Sequence, residues 1–144
     1  MSQRPRLLLA DPEPATRLLV LDALREAYEV QPIEEGEDPL RTTRKLRPAA
    51  LLLAVPSRQT QAAIRACRSL KTEASPPRVL LLDLSGRLAD PKAAREESLA
   101  DGVLSGRVTA EQIRAFLAAA LAGDRPVTEG ERGGRGLLSR LLGR

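Results

Sequence analysis

Short apolar runs alternate with amphipathic stretches through the first 105 residues. Five runs are bounded by Pro, Asp and Gly: Arg6 to Ala10 (RLLLA), Tyr28 to Ile33 (YEVQPI), Ala49 to Val55 (AALLLAV), Arg78 to Leu84 (RVLLLDL) and Gly102 to Ser105 (GVLS). Runs of this length and punctuation predict strands. LLLA and ALLLAV are apolar without alternation, the pattern of central parallel strands covered on both faces. YEVQPI alternates and carries Pro32, which places it at an edge, where a missing N–H does least harm.

The intervening segments repeat with a helical period. In ATRLLVLDALREA, Leu18, Leu21 and Leu24 recur at three-residue steps after Pro14. Asp38 with Pro39, and Asp90 with Pro91, each pair an N-cap with a proline at the first helical position. In SRQTQAAIRACRSLK, Cys67 shares an apolar face with Ile64 and Leu70 and reads as a small buried hydrophobe. Thr109 and Gln112 form a capping box before Ile113, Phe116, Leu117, Ala120 and Leu121, and Gly123 supplies the stop. Five βα units in strict alternation predict an α/β fold: a flavodoxin-like, doubly wound (βα)5 parallel sheet with helices on both faces. Function in that architecture sits at the carboxyl ends of the strands, near the topological switch point.

Composition narrows the chemistry. A chain of 144 residues suits one domain, and 0 His with 1 Cys removes His-based general bases, Ser-His-Asp triads, Cys/His zinc sites and internal disulfides. The opening MSQRPRLLLADPEP has too short an apolar run for a signal or spanning segment, so the expected location is the cytoplasm. Net charge is +4, but residues 125–144 hold five Arg against two Glu, leaving 18 basic against 17 acidic residues in 1–124. Tyr28 and Phe116 are the only aromatic residues, too few for a base-stacking platform. Both counts argue against nucleic-acid binding.

In order and spacing, several segments resemble a response-regulator receiver domain, the module that accepts a phosphoryl group from a histidine kinase. The resemblance covers about residues 5–122. RLLLADPEPATRLLVLDAL is similar to the family's first strand, acidic loop and first helix, and Tyr28-Glu29-Val30 to its second strand. Arg47-Pro48 before ALLLAV resembles the approach to the phosphoacceptor strand, and ADGVLSGRVTAEQI (Ala100 to Ile113) the family's A-D-G-F-L-x-K-P run.

The resemblance implies a degenerate, pseudo-receiver site. A receiver needs a carboxylate ending the third strand, two acids after the first, a hydroxyl after the fourth and a Lys after the fifth. Those positions carry Ala54, then Asp11 and Pro12 with Glu13 beside them, then Leu82 or Asp83 with Ser85 slightly beyond, and Gly106-Arg107. The family's aromatic switch position carries Val103. Ala54 cannot be phosphorylated, and Asp11 with Glu13 alone would hold Mg²⁺ weakly, so no cofactor is expected. Asp11 reads alternatively as a cap on the first helix, and Asp83 as a strand terminator or a repurposed acid. Arg107 is a candidate for a small anion.

The expected organisation is a receiver-like domain over 1–123, a flexible linker over 124–136 (DRPVTEGERGGRG) and a C-terminal peptide over 137–144 (LLSRLLGR). Leu137, Leu138, Leu141 and Leu142 fall on one helical stripe, with Arg140 and Arg144 beside it. Eight residues order only when something covers the leucines: a partner groove, an anionic membrane surface, or the chain's own domain. The favoured expectation is a signalling adaptor that is not an enzyme, with protein partners, a docking tail and homodimerisation left open. Its expected contact face is the fourth helix, fifth strand and fifth helix. The alternatives are a phosphorelay regulator using Asp83 or Asp11 as acceptor, and a membrane-peripheral localisation factor.

Overall fold

The central strands are apolar on both faces because helices cover both faces of the sheet. The computed structural model describes residues 3–11, 13–34, 36–56 and 58–131. In chain order the elements are β1 (Arg6–Ala10), α1 (Pro14–Leu24), β2 (Glu29–Pro32), α2 (Pro39–Leu46), β3 (Ala50–Ala54) and α3 (Thr60–Lys71). They continue with β4 (Val79–Asp83), α4 (Pro91–Ser98), β5 (Gly102–Ser105), α5 (Ala110–Leu121) and β6 (Val127–Glu129). The sheet runs β2-β1-β3-β4-β5-β6 with every strand pair parallel.

Side chains alternate between two cores with the two-residue period of a strand. Leu7, Leu9, Leu52, Leu80, Leu82 and Leu104 pack with α1 and α5. Leu8, Leu51, Leu53, Val79, Leu81 and Val103 pack on the opposite face, where α3 contributes Ile64, Cys67 and Leu70. Phe116 lies wholly buried on α5, its ring against Gly102, where a Cβ would come within 2.9 Å. The expected caps form: Asp38 accepts from the Leu40 N–H, Asp90 from the Ala93 N–H, and Thr109 with Gln112 closes the box on α5. β2 is an edge strand, as its proline requires.

Two expectations need correction. The sheet has six strands, and the stretch read as a flexible linker begins with one of them. After α5 the chain reverses at Gly123 (φ +91°), and Val127–Glu129 then pairs with β5. Val103 N–H donates to the Pro126 carbonyl at 2.9 Å, Gly130 N–H to Ser105 at 2.7 Å, and Arg107 N–H to Glu131 at 2.7 Å. The physical reason is that β5 would otherwise be an open edge, and the returning backbone satisfies its donors. β6 escaped the sequence pattern because it is three residues long, half-buried and contains one large apolar side chain, Val127. It also packs against α4, so the expected contact face of α4, β5 and α5 is covered at its centre by β6. The sheet-bound chain therefore continues at least to residue 131. Residues 132–136 and the leucine peptide, with Leu137, Leu138, Arg140, Leu141 and Leu142, lie outside the described residues.

The strap formed by 126–131 is fitted to two glycines. A Cβ on Gly106, whose φ is +90°, would sit 3.0 Å from the carbonyl oxygens of both Gly130 and Glu131, and one on Gly130 would sit 2.0 Å from the Arg107 carbonyl oxygen. Gly130→Ala should therefore lift the strap from β5 while sparing the sheet. In hydrogen exchange, the Glu131 and Arg107 amides should lose protection while the Leu81 amide keeps it. Retained protection at Glu131 would contradict the fit.

Candidate functional site

The order of the sheet puts the switch point between β1 and β3, since the chain leaves β1 for β2 on one side and returns to β3 on the other. Asp11 follows β1 directly and Ala54 closes β3. With Glu13, Thr16, Leu82 and Ser85 they line a cavity of about 120 Å³. Three of the expected site residues, Asp11, Glu13 and Ala54, thus share one wall.

Asp11 is 7% exposed and already engaged. One carboxylate oxygen accepts from the Glu13 N–H at 2.9 Å and the other from the Thr16 hydroxyl at 2.7 Å. This is a loop-bracing role near the helix start and not an N-cap, because Glu13 occupies the cap position of α1. Ala54 contributes a methyl group. A hard dication needs several oxygen ligands; Ala54 has no donor atom and each Asp11 oxygen already accepts one bond from protein, which leaves Asp11 and Glu13 as the acids at the cavity among the described residues. Among the described residues, no group of three or more His, Cys, Asp or Glu is placed to hold a metal ion.

Asp83, Gly106 and Arg107 assemble elsewhere, at the corner between β4 and β5 beneath the strap. Asp83 is fully buried, and its carboxylate accepts from the Arg87 N–H at 2.8 Å, the Leu88 N–H at 2.9 Å and the Ser105 hydroxyl at 2.8 Å. Its backbone carbonyl accepts from the Gly86 and Gly106 amides. Each bond anchors the β4–α4 loop or joins it to β5, so the carboxylate acts as a structural knot. Gly106 lies under the strap carbonyls, where the resemblance placed a lysine. The Arg107 side chain is exposed, and neither it nor Asp83 lines the cavity. Val103 is buried in the sheet core.

Beside the small cavity opens a larger cleft of about 580 Å³, which sequence reasoning missed. Among the described residues, Ile33, Leu53 and Pro39 give it apolar walls, and its charged lining is acidic Asp11, Glu34 and Glu37 against one cation, Arg17. The available signal was the acidic run Glu34 to Asp38 directly after β2, the edge strand beside β1.

Cys67 is buried as its helical spacing predicts, and burial pushes its thiol up from 9.0 to about 12. No helix among the described residues is long and apolar enough to cross a membrane.

No protein-family model matches the sequence, and no curated protein does. Solved structures do. A putative response regulator from Chloroflexus aurantiacus superposes with a TM-score of 0.68 at 23% identity, over 83% of this chain and 99% of its own. The chemotaxis response regulator CheY4 of Vibrio cholerae gives 0.65 at 18% identity, over 82% and 99%. The response regulator DrrB of Thermotoga maritima, an OmpR/PhoB homologue, gives 0.65 at 19% identity over 85% of this chain and 55% of its own. The chain therefore spans little more than half of DrrB's length. Likeness at this level of identity shows the fold: a flavodoxin-like α/β domain of the receiver type.

Two outcomes follow from the buried groups. Asp83→Ala leaves two amides and a hydroxyl without their acceptor and should destabilise the domain by about 3 kcal/mol in denaturant titration. A change below about 0.5 kcal/mol, the range of a surface substitution, would contradict the knot. For Cys67, the raised pKa means the folded state holds the thiol proton more tightly than the unfolded chain. Its stabilising contribution is complete below pH 9.0 and is lost as pH rises toward about 12. Stability measured from pH 8 to pH 11 should fall more steeply for the natural chain than for Cys67→Ala, by at most about 1.4 kcal/mol per pH unit.

Proposed function

We propose that the chain is a receiver-like signalling adaptor that works by protein–protein contact and accepts no phosphoryl group. The observation that carries this reading is Ala54: the strand end that faces the small cavity ends in a methyl group. A phosphoaspartate needs a carboxylate nucleophile there, a divalent cation to bridge it to the phosphoryl oxygens and a cation to balance the developing charge. Asp11 is tied to Thr16 and the Glu13 amide. The position of the cation is Gly106, closed over by the strap. Asp83 and Asp11 make poor substitute acceptors because phosphorylating either carboxylate would break the bonds that hold its loop. On this reading the domain is a binding module with no cofactor and no catalytic residue.

The C-terminal peptide supplies the adaptor with a docking element. Its four leucines, fully buried against a partner, contribute at most about 6–10 kcal/mol before ordering costs, enough for micromolar docking and marginal for unaided membrane anchoring.

Acetyl phosphate with Mg²⁺ should leave the intact mass of the full chain unchanged, and proteins retained by the immobilised chain should be the same with and without the phosphodonor. A phosphoryl adduct, or partners captured only with the donor present, would overturn the adaptor reading.

A further inference from the structure

We propose that residues 137–144 of this chain dock in cis in the acidic cleft at the switch point, between the ends of β1 and β3 and the β2–α2 loop. The contact goes beyond the adaptor role and stands or falls separately from it, since it needs only the cleft and the tail.

Charge is the first support. Among the described residues that line the cleft, Asp11, Glu34 and Glu37 are acidic and Arg17 is the one cation, whereas residues 132–144 carry Arg132, Arg135, Arg140 and Arg144 with no acidic residue. Shape and polarity are the second. At about 580 Å³ the cleft falls within the range of ligand clefts, roughly 300–1,000 Å³, and Ile33, Leu53 and Pro39 offer apolar walls to leucine side chains. The neighbouring cavity, about 120 Å³, is too small for such a segment.

The point of departure is the third. The strap pins Glu131 to Arg107 by a reciprocal pair of backbone bonds, 2.7 and 3.0 Å long, so the tail starts at the carboxyl rim of the sheet beside β5. With strands about 4.8 Å apart, the end of β3 lies roughly 14 Å from β6, the strand that leads into Glu131, and that of β1 roughly 19 Å. The five residues 132–136 span at most about 17 Å when extended, enough to carry Leu137 to the end of β3, where Leu53 and Ala54 line the cleft. A tether this short also raises the local concentration of the peptide to the millimolar range, so a contact too weak to detect between separate molecules is populated within one.

The test uses the full chain carrying a nitroxide on Ser139→Cys. Cys67 is wholly buried with its thiol raised to about 12, so the new thiol is labelled selectively. In ¹⁵N spectra the amides of Ile33, Gly36 and Leu53 should broaden. A mixture of ¹⁵N unlabelled chain with spin-labelled ¹⁴N chain should leave them sharp. Leu141→Ser with Leu142→Ser, which leaves every residue of the body in place, should reduce the broadening several-fold. Glu34→Lys and high salt should do the same. Broadening spread evenly over the surface, centred on another face, or carried in full by the mixed sample would overturn docking in cis; the last of these would identify a second copy of the chain as the tail's acceptor. Unchanged phosphodonor results combined with absent broadening would remove this contact and leave the adaptor reading intact.

Discussion

Parallel pairing is the constraint on which the rest of the molecule depends. Parallel neighbours can be joined only by a crossover that returns over a face of the sheet, so both faces are covered and the central strands have no solvent side. Leu7, Leu8 and Leu9 are buried in sequence for this reason, as are Leu51 to Leu53 and Val79 to Leu82. No polar group can sit in those strands without a buried partner, which displaces all the candidate chemistry to their carboxyl ends. The buried carboxylates obey the same rule: Asp11 and Asp83 both follow or close a strand, and both are satisfied by the loop that begins there.

The second constraint is the edge. A parallel sheet that stopped at β5 would leave one row of donors and acceptors exposed, and the chain closes that row with its own return. The closure has local consequences. Gly130 lets the strap backbone come within contact of Arg107, and Gly106 leaves room for the two carbonyls that cross it. A long side chain at 106 would have to displace them. The glycine at 106 is therefore a packing requirement of β6, and Ser105, bonded to both Asp83 and Gly130, joins the knot to the strap.

How much of this was readable in the sequence follows from which signals are local. The five main strands and the helix starts were legible because apolar runs, Asp-Pro caps and the Thr109 capping box act within a few residues. The burial of Cys67 followed from helical spacing. β6 was not legible: V-T-E is too short to carry a period, and its stability comes from Val103 and Ser105, more than twenty residues away. The two readings of Asp83 could not be separated by spacing either, because the deciding partners, the Arg87 and Leu88 amides and the Ser105 hydroxyl, are brought together only by the β4–β5 corner. The expected site residues fall at two places. Asp11, Glu13 and Ala54 converge, whereas Asp83, Gly106 and Arg107 gather at a different corner.

The strap also sets how the tail can be used. Because Glu131 is fixed at the carboxyl rim, the chain leaves the described body at the end of the sheet that carries the acidic cleft. A tail that rests there is hidden from any other acceptor in proportion to the time it is docked, and a partner's apparent affinity is divided by the fraction of chains that are open. With nine chains in ten closed, the partner would bind about tenfold more weakly than it binds the free peptide. Anything that competes for Glu34 and Glu37, including added salt or a basic segment of the partner itself, would then act as a release signal, coupling the switch-point loops to the exposure of the tail.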